Sequence, residues 1–476
     1  MSDTKQIPEN APAAEDSLKK YPLTAGQMWQ QIPIDEYGTQ QTANLCVLAT
    51  LQSPLDFDLL KKCIEMEYER CECLRVRFTE PDAEGKIMQY IYPEIPEIPY
   101  EDLSGMTWDE ARENLQQRAY KPFVGHDIPM SEITMVSMPE GYNGIYMHID
   151  HRLLDSCGMS VMVNDLMELY CHYRFGSPMP EDLASYSEML EKDLQRASNP
   201  KRVEKDRAFW QERFNTLGEP LYSDVKGQKV LQECRRKHND KHRRAADHES
   251  ESLFSKAAFF HLEPAATRKL IEFCINHQIS MTNLLLLGIR TCLSKDNGGQ
   301  EDITVRNYIN RRSTQQEWTS GGSRTIAYPC RSIISPDTEF LDAAYEIQNV
   351  QNQVYRHSNY APELLIKQMQ DTFGTPDHAG YEGFALTYQP MTVRFSNPHL
   401  AEIPVRSVWF TNGAAIQKAY LTITHAPDEG LDFNFRYHVR TLEYADMERV
   451  YFYLMQVLFK GVQEPDMTIG EIISTI

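Results

Sequence analysis

The stretch IYMHIDHRLLDSCGMSVMVNDLMELY (145–170) decides how this chain is read. Ile145–Ile149 reads as a strand, and it follows another at Ile133–Met138 across PEGYNG, a turn by composition. The second strand runs directly into His151. After a short loop, Met159, Met162, Val163, Leu166, Leu169 and Tyr170 recur at helical spacing. A strand, a tight loop and a helix can hold a polar side chain rigidly at the edge of a cleft.

Outward from this unit the texture is mixed α/β. Asn44–Leu51 reads as a strand, Asp56–Arg70 as a helix, and Arg75–Phe78 with Ile87–Ile91 as a hairpin across PDAEG. Trp108–Tyr120 is helical. The second half repeats the mixture, with helices expected at Pro264–Asn276, Met281–Leu293 and Tyr444–Phe459. Strands are expected there at Ile303–Ile309, Ala385–Tyr388, Ala419–Thr424 and Leu431–Tyr437. Residues 1–17 read as a flexible tail without periodicity. Residues 223–253 are dense in charge of both signs and poor in apolar residues, which reads as an exposed linker. The expected division is therefore a lobe at 18–222, that linker, and a second lobe at 254–476.

With 476 residues, 41% apolar and 24% charged, the chain has the composition of a folded protein too long for one ordinary core. Its longest apolar run, near Leu284–Ile289, is less than half of what a bilayer requires. Without a leader-like apolar stretch in the first twenty residues, a cytoplasmic protein is expected. The 10 cysteines form no CxxC pair, so neither a zinc site nor a disulfide framework is indicated. A net charge of −20 argues against nucleic acid as partner. An acidic partner would need a local basic patch, and Arg235, Arg236, Lys237, Lys241, Arg243 and Arg244 offer the best one.

The chain contains no GxSxG, HExxH, P-loop or GxGxxG. What remains is His151-x-x-x-Asp155, a spacing that 14 histidines could supply once by chance. Its setting distinguishes it: a strand delivers His151, Gly158 follows, and a helix begins. Cys157 invites a Cys–His nucleophile reading, but the sequence shows no electropositive environment for a thiolate.

DHRLLDS (150–156) resembles the HHxxxDG motif of the condensation domains of non-ribosomal peptide synthetases, in the chloramphenicol acetyltransferase-like superfamily. The second His falls on His151 and the Asp on Asp155, while Asp150 and Ser156 stand where the family has His and Gly. The resemblance extends along the chain. Tyr21–Trp29 looks like the opening motif, Cys71–Phe78 (CECLRVRF) like HExLRxxF, and Lys121–Met130 like the stretch before the core motif. Gln300–Arg312 resembles the segment ending in a structural Arg, and Phe384–Gln389 (FALTYQ) the later Asn-Tyr-Gln strand.

The resemblance implies two chloramphenicol acetyltransferase-like α/β lobes in a V, with a tunnel between them. It implies acyl transfer from a phosphopantetheine thioester to an amine or hydroxyl, with His151 as general base and backbone N–H groups at the oxyanion. The donor would arrive on an acyl or peptidyl carrier protein acting in trans to this stand-alone chain, or as acyl-CoA; no permanently bound cofactor or metal is implied. Asp155 is expected to pair with an arginine, with Arg75, Arg311 and Arg312 as candidates. Asp150, Ser156, Cys157, Gly158, Tyr388 and Gln389 are expected along the tunnel, although strand alternation turns Asp150 away from substrate. The alternative is a catalytically silent condensation-like module that binds carrier or acyl groups.

Overall fold

A computed structural model describes residues 18–249, 252–389, 395 and 397–476. The expectations for 1–17 lie outside the described residues. The first half runs β1 (Tyr21–Pro22), α1 (Ala25–Tyr37), β2 (Asn44–Leu51), α2 (Phe57–Arg70), β3 (Val76–Phe78), β4 (Met88–Ile91), β5 (Tyr100–Asp102), α3 (Trp108–Ala119), β6 (Ser131–Ser137), β7 (Asn143–Asp150), α4 (Ser156–Phe175), α5 (Tyr186–Ala197) and α6 (Pro200–Leu217). The second runs α7 (Lys229–Lys237), β8 (Ala246–Asp247), β9 (Ser255–Leu262), α8 (Pro264–His277), α9 (Met281–Asp296), β10 (Asp302–Ile309), α10 (Gln315–Trp318), β11 (Ile326–Ile333), α11 (Phe340–Arg356), α12 (Pro362–Phe373), β12 (Ala379–Gly380), β13 (Phe384–Gln389), β14 (Val405–Phe410), β15 (Ala419–His425), β16 (Leu431–His438), α13 (Tyr444–Gln463) and α14 (Ile469–Ser474).

Two mixed sheets organise the chain, ordered β14-β2-β7-β6-β5 and β11-β10-β13-β15-β16-β9. In the first, both faces are covered, so its central strands carry nearly continuous apolar runs. Val47, Ala49 and Leu51 of β2, with Ile145, Met147 and Ile149 of β7, pack under α2 and α4. Cys46, Leu48 and Tyr146 face α3 instead. In the second sheet, Ile303 and Val305 of β10 pack with α8, α9, α11 and α13. Leu284–Leu287 of α9 are fully buried there, and each contributes roughly 1.5–3 kcal/mol by leaving water. Gly288 lets α13 close in, because a Cβ there would meet Leu454 Cδ1 at 2.5 Å.

Three expectations about organisation need correction. The lobes do not divide at 222: Trp210 and Phe214 of α6 pack with Ile309, Ile326 and Tyr328 of the second sheet. Nor does 254–476 stay in its own lobe, since β14 crosses to pair with β2, Val405 opposite Leu51 and Phe410 opposite Cys46. The charged segment 223–253 is built rather than loose where it is described. Leu231 and Cys234 of α7 and Ala246 of β8 form a small core with Tyr222, and β8 pairs with β12. Its charges are largely spent internally: Lys237 Nζ, His238 Nε2 and Arg243 Nη2 all converge on Asp247. Arg236 and Lys241 stay exposed along a shallow groove.

Candidate active site

His151 leaves the end of β7 with its backbone N–H donated to the Ala43 carbonyl at 2.6 Å. Its ring is half-buried. Nδ1 is enclosed without a hydrogen-bond partner among the described residues, whereas Nε2 is not among the enclosed unpartnered atoms. Two buried ion pairs hold the loop on either side of it.

The first is local. Asp150 is fully buried and accepts from Arg152, from the backbone N–H at 2.8 Å, Nε at 3.0 Å and Nη2 at 2.7 Å. Gln40 Nε2 adds a donor at 2.6 Å. Arg152 in turn gives Nη1 to Gln31 Oε1 at 2.6 Å and lies over the Phe78 ring at 4.0 Å. Asp150 is therefore fully occupied inside the lobe.

The second pair spans the lobes. Asp155 caps α4 by accepting from Gly158 N at 2.9 Å. It also accepts from Arg312 Nη1 at 2.7 Å, Arg324 N at 3.0 Å, and Thr325 N and Oγ1 at 3.1 and 3.0 Å. Burial alone would raise this carboxyl, but the Arg312 guanidinium and the N–H donors hold it well below the usual carboxylate range. Arg312 also donates to the carbonyls of Glu317 and Gly322, each at 3.0 Å, and to Asn310 Oδ1 at 3.3 Å. Gly158 permits this closeness, since a Cβ there would lie 2.7 Å from Leu154 Cδ2 and 3.2 Å from the Gly322 carbonyl.

The other two arginines do not reach Asp155. Arg311 bonds Asn359 Oδ1 at 2.9 Å. Arg75 braces its own hairpin through the carbonyls of Tyr68 and Tyr92 at 2.8 and 3.0 Å. Cys157 is buried beside Arg312, and burial pushes its thiol up, which works against a thiolate. Ser156 opens α4, whose first-turn N–H groups have no partner within the helix. Tyr388 and Gln389 end β13. Tyr388 packs on the second lobe's core and meets His425 Nε2 at 2.6 Å; burial pushes its phenol up to about 12. Among the described residues neither one bonds to residues 150–158.

Sequence reasoning missed Arg152, Gln31 and Gln40, which complete the Asp150 clamp. Arg152 was visible two positions after an acid placed where the family has His. The glutamines lie more than a hundred residues away and carried no signal.

Proteins of known structure share this fold. The first condensation domain of the calcium-dependent antibiotic synthetase, solved with a substrate analogue, superposes with a TM-score of 0.77 at 17% identity, over 95% of this chain and 98% of that one. The starter condensation domain of rhizomide synthetase, solved with C8-CoA, gives 0.77 at 15% identity, over 95% and 96%. The architecture is thus chloramphenicol acetyltransferase-like α/β. In sequence, the chain is 22% identical over 433 residues to a plipastatin synthase of Bacillus subtilis (strain 168), covering 90% of this chain and 16% of that protein. It is 23% identical to a linear gramicidin synthase of Brevibacillus parabrevis, covering 90% of this chain and 5% of the other. The chain thus spans a small part of the length of these relatives. The Condensation domain family model matches residues 17–475, and the chain belongs to that family. No helix among the described residues is long and apolar enough to cross a membrane.

Proposed function

We propose that this condensation domain is an acyltransferase that moves an acyl group from a phosphopantetheine thioester, carrier-borne or CoA-borne, to an amine or hydroxyl. The observation that carries this reading is His151 itself: its backbone is pinned, its loop is clamped on both sides, and of its ring nitrogens Nδ1 alone is enclosed without a partner. The acceptor's lone pair attacks the thioester carbonyl while Nε2 takes its proton. The tetrahedral oxyanion collapses to the amide or ester, and the pantetheine sulfur leaves and is protonated. The opening turn of α4, from Ser156, supplies N–H groups and the positive end of a helix dipole for the oxyanion. A V-shaped meeting of the lobes with a tunnel reaching His151 belongs to the same reading. Support comes from the rhizomide starter domain, solved with C8-CoA and Leu-SNAC. The ten buried free thiols fit a reducing compartment.

The departures at Asp150 and Ser156 favour a second reading, a silent module that binds carrier or acyl groups. One assay separates the two. Acyl-CoA and acyl-pantetheine thioesters are offered with panels of amines and alcohols, and product mass is followed for wild type and His151→Ala. Loss of about 10²–10⁴ in rate is expected. Equal turnover in the variant overturns the general-base mechanism, and no product with any pair favours the silent module.

A further inference from the structure

Alternation along β16 sends Phe433, Phe435 and Tyr437 into the core beneath α8, α9 and α13, and turns Asn434 and Arg436 to the opposite face of the sheet. Arg436 stands opposite Tyr420 of β15. Tyr308 of β10 lies against Tyr420, with ring centroids 5.0 Å apart. An arginine is thus set among phenols on the face that carries no core.

Its hydrogen bonds lead to His151. Arg436 Nη1 donates to Asn412 Oδ1 at 3.2 Å. Asn412 Nδ2 donates onward to the carbonyls of Thr42 at 3.0 Å and Asn44 at 3.4 Å. Between those two residues lies Ala43, whose carbonyl receives the His151 N–H. One side chain therefore separates the guanidinium from the backbone that pins His151.

Arg436 has no counterion. Arg306, on the same sheet, gives Nε and Nη2 to Glu382 at 3.1 and 2.9 Å. Arg436 is half-buried, and among the described residues its only side-chain partner is the neutral Asn412. The titratable groups that act on its charge are the phenols of Tyr420 and Tyr308, and burial keeps both of them protonated. Most of its five N–H donors are unspent, and its nitrogens are not among the enclosed unpartnered atoms. A guanidinium withdrawn from water is ordinarily paired. Its planar fork matches a carboxylate in particular.

We propose that Arg436 receives the carboxylate of the acceptor, so that the acceptor is a free amino or hydroxy acid. The inference rests on the acyl-transfer reading and names the substrate class of that site. An acceptor held on a carrier has a thioester in place of its carboxylate and offers the arginine no charge. The acyl group passes from the pantetheine sulfur to the acid's nitrogen or oxygen. The proton displaced there moves through His151 to the sulfur, and an N-acyl or O-acyl acid leaves beside a free thiol.

The test offers octanoyl-CoA to the full chain with the common amino acids and lactate, each beside its amide. For the accepted side chain, the acid should exceed its amide about tenfold to a hundredfold in kcat/KM, as hydrogen bonds to charged groups do. Arg436→Met should bring that ratio close to one, chiefly by raising the acid's KM, and Arg436→Lys should restore part of it. Amides used as well as acids by the wild type overturn the proposal. So does an Arg436→Met that lowers acid and amide alike, the mark of a purely structural role through Asn412. Should that variant fail to fold by circular dichroism, Arg436→Gln, which keeps an N–H for Asn412, takes its place. Calorimetry separates this result from the transfer mechanism: His151→Ala should still bind the acid more tightly than the amide. If no pair yields product, calorimetry of the same acids decides. Acid binding that Arg436→Met abolishes sustains the site, whereas no acid binding, or binding unchanged in the variant, overturns it.

Discussion

Two buried carboxylate–arginine pairs flank His151, and they are built to opposite plans. Asp150 and Arg152 are two residues apart, and the pair closes within one lobe. Asp155 and Arg312 are 157 residues apart, and their pair stitches the His151 loop to the segment 310–325 of the other lobe. Asp155 also caps α4 and takes the N–H groups of Arg324 and Thr325. The local pair shapes the loop, whereas the distant pair decides where the loop sits relative to the second lobe. A buried pair is weak evidence of net stability, but removing one partner strands a charge.

The sharpest way to break the comparison is Asp155→Ala. It strips acceptors from a helix cap, an arginine and two backbone N–H groups at once. A loss of about 3–5 kcal/mol is expected in denaturant unfolding, and acyl-transfer activity should disappear with it. If Asp155→Ala unfolds no more readily than wild type, the cross-lobe stitch is not what holds the loop.

Asp150→Ala should cost less, roughly 1–3 kcal/mol, because Arg152 keeps Gln31 and the Phe78 ring. The double replacement Asp150→Leu with Arg152→Leu should recover most of that loss, as apolar replacements of buried pairs often do. The same treatment of Asp155 and Arg312 should not recover it, since no leucine can cap α4 or receive the Arg324 and Thr325 N–H groups. Equal recovery at both pairs would erase the distinction between a loop-shaping and a lobe-joining pair.

This asymmetry also explains what could be read in the sequence. The strands β2 and β7 were legible because both faces are covered, so they appear as unbroken apolar runs. His151 and Asp155 were legible by motif and spacing. The choice among Arg75, Arg311 and Arg312 was not, because a contact 157 residues away leaves no periodicity behind it. β14 escaped for the same reason: Val405 and Phe410 mean little until β2, far earlier in the chain, lies beside them. The segment 223–253 misled because charge density reads as exposure, whereas Lys237, His238 and Arg243 neutralise Asp247 over a small core. α6 was assigned to the wrong lobe because nothing local tells Trp210 which sheet it will meet.

Acid should probe the lobe-joining side selectively. Glu317, whose carbonyl receives Arg312 Nε at 3.0 Å, is buried. Burial works to raise its carboxyl, but the Ser313 and Thr314 N–H groups and Arg196 bring it down to about 2. A depressed carboxyl contributes stability that is present above its unfolded value near 4.3 and is lost as pH falls toward the folded value. Glu317→Gln should therefore cost about 1–2 kcal/mol at pH 7. That difference should shrink in urea titrations between pH 4 and pH 2. A difference that stays constant across this range would mean that Glu317 acts through shape rather than charge.

The smallest expected effect has the opposite sign. Glu67 on α2 is a buried carboxyl whose two oxygens find no donor among the described residues. Burial first, and then the neighbouring Asp165 carboxylate, push it well above the usual carboxylate range. A proton on it would face Asp165, whose own charge is met by Arg70 through Nε at 2.7 Å and Nη2 at 3.0 Å. A raised carboxyl contributes stability that is complete below its unfolded value and is lost as pH rises through its folded one. Glu67→Gln keeps the shape and removes the titration. It should match wild type at pH 5 and exceed it by about 1 kcal/mol at pH 8–9, the lower end of what an unpaired buried polar group costs. Matched thermal unfolding curves at the two pH values decide it. A variant less stable at both would show that Glu67 is charged and paired, making it a third carboxylate of the kind that flanks His151.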